Sequence, residues 1–261
     1  MVTCMAFYIN KIRFSVFLCV LMTIGACASA SSPWHKEQSE LFLNKGISFI
    51  DLKQYPGALR ELLEAEKYNA GDYRIYYYMG MVYHAMDMKE KAIEKFQKAM
   101  SLKEDYSEAH NYLGTLYSNE GLWDKAITHF DQAVANPLYG TPAVPLYNAG
   151  WAYYSKKDYA KAMDSYSRAL QREPQTVLRP QIEKNIALIY FYQSDIPNAI
   201  YHFNKSVELN PNLFDAYFFL GESYLKIKDK ANAKKAFRSV VNLAPQSSFG
   251  KKAKTYLQSL R

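Results

Sequence analysis

Small residues return along this chain at a fixed interval, and the apolar positions around them repeat in step. Gly46, Gly80 and Gly114 stand 34 residues apart, and Ala187 and Gly221 are again 34 apart. Around each, apolar residues recur every three or four positions, which predicts an amphipathic helix and then, after a short polar break, a second. The second segment reads Tyr76, Met79, Gly80 and Tyr83, then Ala92, Phe96 and Ala99; the third reads His110, Leu113, Gly114 and Tyr117, then Ala126, Phe130 and Ala133. The fourth (Leu146, Gly150, Tyr153, Ala162, Tyr166), fifth (Ile186, Ala187, Tyr190, Ala199, Phe203) and sixth (Tyr217, Gly221, Tyr224, Ala233, Phe237) keep the register. The first is weaker but aligned, with Phe42, Gly46, Phe49, Ala58, Leu62 and Ala65.

The pattern has a packing logic. A small residue at position 8 lets helix A lie close to helix B, and another at position 20 lets B approach in return. Aromatics at positions 11 and 24 fill the volume between them, and Pro174, Pro211 and Pro245 stop helix B. Six aligned copies resemble the tetratricopeptide repeat. The resemblance implies an all-α, right-handed superhelical solenoid of six helix pairs with a concave and a convex face. The expected boundaries are 1–26 for a signal, 27–38 for a tether and 39–248 for the repeats, divided at about 39–72, 73–106, 107–142, 143–179, 180–213 and 214–248. A cap helix over 249–261 completes the array, with Phe249, Ala253, Tyr256, Leu257 and Leu260 on one side and basic residues on the other.

The N-terminus departs from this pattern. Lys11 and Arg13 precede an apolar run from Phe14 to Ile24 and then the small-residue string IGACASA, the organisation of an export signal too short to span a bilayer comfortably. Ile24-Gly25-Ala26-Cys27 resembles the bacterial lipobox, in which the cysteine is acylated and becomes the new N-terminus. Cleavage after Ala28-Ser29-Ala30 by ordinary signal peptidase is the alternative. The lipobox reading is favoured because Cys27 follows directly on the apolar run, and because Cys4 and Cys19 fall in the signal, leaving Cys27 as the single cysteine of the mature chain. Ala28, where lipoproteins of the inner membrane commonly have Asp, points to the outer membrane.

A formal charge of +7 falls to +5 once residues 1–26 are removed, and the basic residues are spread along the chain, so nucleic-acid binding is not expected. The densest cluster, Lys251, Lys252, Lys254 and Arg261, reads as a solvated helix face with anionic headgroups as the alternative contact. His35, His84, His110, His129 and His202 show no HExxH and no metal-binding spacing, and there is no phosphate loop or GxSxG elbow. No catalytic, metal or cofactor site is expected, and no small-molecule substrate; the chain does not read as an enzyme.

Binding is instead expected in the groove, which the repeat family lines with helix A positions 2, 5, 9 and 12. Those positions hold Leu43, Ile47 and Ile50 in repeat one, then Tyr77, Met81 and His84 in repeat two. Repeat four supplies Tyr147, Trp151 and Tyr154, and repeats five and six supply Leu188, Phe191, Phe218 and Leu225. Some of these pack against neighbouring repeats, and the rest suit an amphipathic helix or extended segment of a partner protein. Repeat three breaks the stripe with Glu108, Asn111, Thr115 and Ser118. The Lys, Arg and Asn combination that grips a chaperone's C-terminal carboxylate is absent.

Between repeats three and four the spacing from Gly114 to Gly150 rises to 36, and Asn136-Pro137-Leu138-Tyr139, Thr141-Pro142 and Asn148-Ala149-Gly150 occupy the junction. Together with six repeats and a lipobox, these residues resemble the type IV pilus pilotins of the PilF, PilW and Tgl group. That resemblance implies a lipid-anchored protein of the bacterial outer membrane, its repeats facing the periplasm, that helps the pilus secretin insert or multimerise. The further stretch from Gly150 to Ala187, 37 residues, departs from the regular period. A general adaptor for envelope proteases or for outer-membrane protein assembly is the competing reading. The junction prolines are expected to end one helix and set the angle of the next, with direct partner contact as the alternative.

Overall fold

The computed structural model describes residues 32–260; the expected export signal, Cys27 and Arg261 lie outside the described residues. Within them the chain is all-helical, with thirteen helices and no strand. Helices α1 (Pro33–Asp51) and α2 (Tyr55–Tyr68) form the first pair, and α3 (Tyr73–Ala85) and α4 (Lys89–Leu102) the second. The third pair is α5 (Ser107–Asn119) and α6 (Trp123–Ala135), the fourth α7 (Ala143–Ser155) and α8 (Tyr159–Arg172). The fifth is α9 (Arg179–Tyr192) and α10 (Ile196–Leu209), the sixth α11 (Phe214–Lys226) and α12 (Lys230–Leu243), and α13 (Ser248–Ser259) follows as the cap. Helix α1 starts six residues before the expected repeat boundary at 39. Ser32 caps it by accepting from the His35 N–H, and Pro33 stands where a missing N–H costs least.

The chain divides into two compact units. The first ends at Leu102 and contains the first two pairs, with α2 packed on α3 and α1 touching α3. The second begins at Lys103 and contains the other four pairs and the cap. In it each helix B packs on the helix A that follows, and each helix A touches the next, as tetratricopeptide solenoids do.

Position 8 explains the pairing. A Cβ on Gly80, Gly114, Gly150 or Gly221 would come within 2.5 to 2.7 Å of the ring of Phe96, Phe130, Tyr166 or Phe237, so helix A meets the position 24 aromatic through bare backbone. The position 20 alanines, from Ala58 to Ala233, are fully buried, as are Phe96, Phe203 and Phe237. Burying each such ring contributes roughly 2 kcal/mol over leaving it exposed.

Every turn within a pair is three residues long, and its middle residue takes the left-handed conformation: Lys53, Asp87, Gly121, Lys157, Ser194 and Lys228, with φ between 57° and 71°. In the fourth, fifth and sixth pairs the third turn residue, Asp158, Asp195 or Asp229, caps helix B by accepting from the N–H of Lys161, Asn198 or Asn232. Connections between pairs vary instead. Residues 69–72 and 210–213 make four-residue links, 173–178 makes one of six, and 136–142 one of seven. The last is the proline-rich junction seen in the sequence.

Candidate partner-binding groove

The junction is built locally. Asn136 ends α6 and its Oδ1 accepts from the Leu138 N–H at 2.9 Å, while its carbonyl accepts from the Tyr139 N–H at 3.2 Å. The Thr141 carbonyl accepts from the Val144 N–H, and Pro142 is buried at the start of α7. Tyr139 is half-buried, which pushes its hydroxyl pKa up. Pro137 is exposed and Leu138 is 89% exposed, so NPLY turns the chain and leaves one leucine in solvent.

In the first unit Ile47, Ile50, Tyr77, Met81 and His84 are half-buried along α1 and α3. Leu43 corrects the expectation. It is 1% exposed and belongs to the core of α1, a helix that packs along its own helix B and also touches the following helix A. Position 2 carries charge: Arg74 bridges Glu40 Oε2 at 2.6 Å and Asp72 Oδ2 at 2.7 Å. The hydrogen bonds it donates to Asp72, and then to Glu40, hold its guanidinium firmly ionised.

In the second unit Asn111 and Asn148 join α5 to α7, Nδ2 of Asn148 donating to Oδ1 of Asn111 at 3.4 Å. Thr115 donates to the Asn111 carbonyl. The polar break of repeat three therefore satisfies much of its own hydrogen bonding. Beyond it the aromatics join up. Trp151 stacks on Tyr154 at 5.5 Å, Tyr154 lies 6.4 Å from Tyr192, and Tyr192 meets Phe191 edge-on at 5.6 Å. Trp151 and Tyr192 are 42% and 52% exposed, whereas Tyr147, Tyr154, Leu188 and Phe191 lean on the core of their pairs.

Phe218 is the second correction. The cap covers it, with Phe249 at 4.8 Å and Tyr256 at 6.1 Å, while Phe237 of α12 lies at 5.8 Å, so it is 3% exposed. Leu225 remains accessible. It lines a cavity of about 330 Å³ with Phe191, Glu222, Lys226 and Tyr256. The Tyr256 hydroxyl donates to Glu222 at 3.0 Å, and the Lys226 ammonium lies 4.9 Å from the centre of the Phe191 ring. This cavity offers apolar walls and a polar rim, suited to an apolar side chain carried beside a hydrogen-bonding backbone. Sequence reasoning missed Tyr192, Glu222, Lys226 and Tyr256. The repeat register contained one signal, since Tyr256 stands 34 residues after Glu222 and continues position 9 into the cap.

The histidines are less scattered than they read. Position 4 of helix A faces position 23 of helix B, 19 residues on, and this brings His110 Nδ1 to 3.1 Å from His129 Nδ1. The His110 Nε2 stands 3.1 Å from the Glu104 carbonyl and must donate to it. When both rings are neutral, the His110 Nδ1 therefore accepts from His129. Burial, reinforced by His110, lowers the His129 pKa to about 4. In the fifth pair the same positions hold Glu183 and His202, 2.8 Å apart, with Lys205 Nζ at 2.6 Å from the same carboxylate. Among the described residues no group of three or more His, Cys, Asp or Glu could hold a metal ion, and no helix is long and apolar enough to cross a membrane.

Models of the tetratricopeptide repeat match residues 73–106, 143–175 and 214–247, and a further one matches 187–228. The BBSome complex member BBS4 of Bos taurus is 26% identical over 236 residues, 78% of this chain and 45% of that protein. The photosystem I assembly protein Ycf3 of Acaryochloris marina is 34% identical over 79 residues, 30% of this chain and 48% of that protein. The chain thus spans about half the length of the curated relatives it matches. Among solved structures, Pseudomonas aeruginosa pilF superposes with a TM-score of 0.75 at 14% identity, covering 85% of this chain and 98% of its own. PilW, a widely conserved type IV pilus biogenesis factor, gives 0.71 at 21%, covering 83% and 98%. These likenesses are of fold. Repeat register, helix pairing and matched models agree, and the chain belongs to the tetratricopeptide-repeat family.

Proposed function

We propose that this protein is a non-enzymatic lipoprotein of the bacterial outer membrane that acts as a pilotin, helping the type IV pilus secretin to insert or multimerise. The observation that carries the reading is the extent of the fold likeness to pilF and PilW, which takes in 98% of each of those chains. The lipobox-like Cys27 and the NPLY junction support it from the sequence. In this reading Cys27 carries the lipid. One acyl chain holds a protein weakly and two or three hold it firmly, so an acylated N-terminus keeps the repeats at the membrane, facing the periplasm.

The groove then holds a secretin segment. Trp151, Tyr154, Tyr192 and Phe191 form a continuous aromatic run, and the cavity around Leu225 adds a socket at its end. Rings of this kind supply large contact area at low entropic cost, and an amphipathic helix presents residues at matching intervals.

Deletion of the gene should abolish secretin multimers on a blot of outer-membrane fractions. Normal multimers in the deletion strain would refute the reading. Cys27→Ala should release the folded protein from membranes washed in high salt, which screens surface charge contacts but not an inserted lipid; unchanged fractionation after that wash would refute the anchor. A pull-down that recovers envelope proteases or barrel-assembly components without secretin would replace this function with that of a general adaptor.

A further inference from the structure

The basic residues are spread along the chain, but the excess of positive over negative charge is not. Eight of its 32 Lys and Arg and none of its 25 Asp and Glu lie in residues 230–261, so the rest of the chain carries 24 cations against 25 anions. The whole excess therefore sits on α12, α13 and Arg261. Seven of the eight are on the two helices: Lys230, Lys234, Lys235 and Arg238 on α12, and Lys251, Lys252 and Lys254 on α13.

Their arrangement is directional. Lys234 and Arg238, one turn apart on α12, face Lys254 and Gln258, one turn apart on α13, across an open cleft of about 370 Å³ that Leu257 also lines. The neighbouring carboxylates are engaged elsewhere. Asp229 holds Asn232 at the start of α12, and Glu222 accepts from Tyr256. Converging cations repel one another, and an anion between them removes that repulsion. Arg238 adds a planar fork that matches two phosphate oxygens, and the two lysines add mobile point charges.

We propose that the α12–α13 cleft binds the phosphodiester headgroup of an anionic lipid, giving the C-terminal end of the array its own contact with a membrane surface. A lipid headgroup is favoured over nucleic acid because the cleft has no ring on which a base could stack. The aromatics of α13 point inward, Phe249 onto Phe218 and Tyr256 onto Phe237 at 4.7 Å. The proposal does not depend on the pilus reading and stands or falls separately from it.

The full chain is to be co-sedimented with vesicles of phosphatidylcholine alone and of phosphatidylcholine mixed with phosphatidylglycerol. A lipid anchor inserts into both, so the ratio of the two partition coefficients reports the charged contact. Each cation at an anionic surface contributes about fivefold, so K234Q/R238Q/K254Q should cut that ratio on the order of a hundredfold. The control K36Q/K45Q/K91Q, which removes three exposed charges from the first unit, should leave it within about twofold, with circular dichroism confirming that both triple variants remain helical. An equal loss in the control would make the effect one of net charge and overturn the cleft. Equal binding of the unaltered chain to both vesicles would overturn the lipid contact. Displacement from mixed vesicles by millimolar inorganic phosphate would assign the cleft to free phosphate, and displacement by a single-stranded oligonucleotide would assign it to nucleic acid; either would overturn the proposal.

Discussion

In the third helix pair, positions 4 and 23 hold His110 and His129; in the fifth they hold Glu183 and His202. The geometry is shared. Each position 23 imidazole stacks on the position 11 tyrosine of its own pair, His129 on Tyr117 and His202 on Tyr190, with ring centres 5.5 Å apart in both. The chemistry is opposed. The fifth pair encloses a carboxylate, its side chain 1% exposed, among Lys205, His202 and Arg179. Burial alone would raise the Glu183 pKa, but its bonds to His202 and Lys205 outweigh that and hold it below its ordinary 4.5. The third pair sets imidazole against imidazole with no anion between them, so burial prevails and His129 resists protonation. One slot in a repeat can thus hold an ion cluster or exclude charge, depending on a single residue.

The largest effect should come from removing the carboxylate. Glu183→Gln leaves Lys205 and Arg179 without their counter-charge and should lower unfolding free energy by about 3 kcal/mol, read from urea denaturation at pH 7. The corresponding change in the third pair acts through pH. The unfolded chain protonates His129 near its ordinary 6.5 and the folded chain only near 4, so stability is full above 6.5 and falls as pH drops through that window. Allowing for partial exposure of the ring, the loss between pH 7 and pH 4 should be about 2 kcal/mol. His129→Phe keeps the stack on Tyr117 and should flatten this portion of the stability curve. Glu183 contributes its own loss lower down, below 4.5, because its folded pKa is depressed. The two pairs can therefore be separated by the pH at which each weakens.

Position 8 sharpens the comparison further. The fifth pair already carries Ala187 against Phe203, whereas a Cβ on Gly114 would stand 2.6 Å from the Phe130 ring. Gly114→Ala should cost about 2 kcal/mol by overpacking, and a midpoint unchanged in urea would show that the third pair can open as the fifth has. The smallest difference lies in the turns, where Gly121 (φ 71°) of the third pair corresponds to Ser194 (φ 65°) of the fifth. Gly121→Ala should lose about 1 kcal/mol and Ser194→Gly should gain a few tenths, both measurable as shifts in thermal midpoint.

The helix pairs were legible because their signals are local. Gly80, Ala92 and Phe96 announce close approach, a small partner and a filled gap within one segment, and the 34-residue period repeats the message. Three features were not legible, each for a physical reason. Pairing of His110 with His129 depends on the length of the turn between helices, which fixes which residues face each other 19 positions apart. The burial of Leu43 and Phe218 depends on the element that follows in space, and for Phe218 that element is the cap. Tyr192 adjoins position 12 rather than occupying it, and Tyr256 stands in the cap, beyond the last helix pair. The junction was readable as a helix stop, yet the exposure of Leu138 follows only from the Asn136 turn that points it outward.

That turn has a practical meaning. The three-residue turns inside the pairs leave no slack, while the connectors between pairs range from four to seven residues. Gly140 has no atom within 4 Å of where a Cβ would stand, and Leu138 is in solvent. Residues 138–140 are therefore where the chain can accept foreign sequence without disturbing a helix. An epitope or fluorescent label carried there would report the protein's position in a cell while leaving the basic C-terminal helices free.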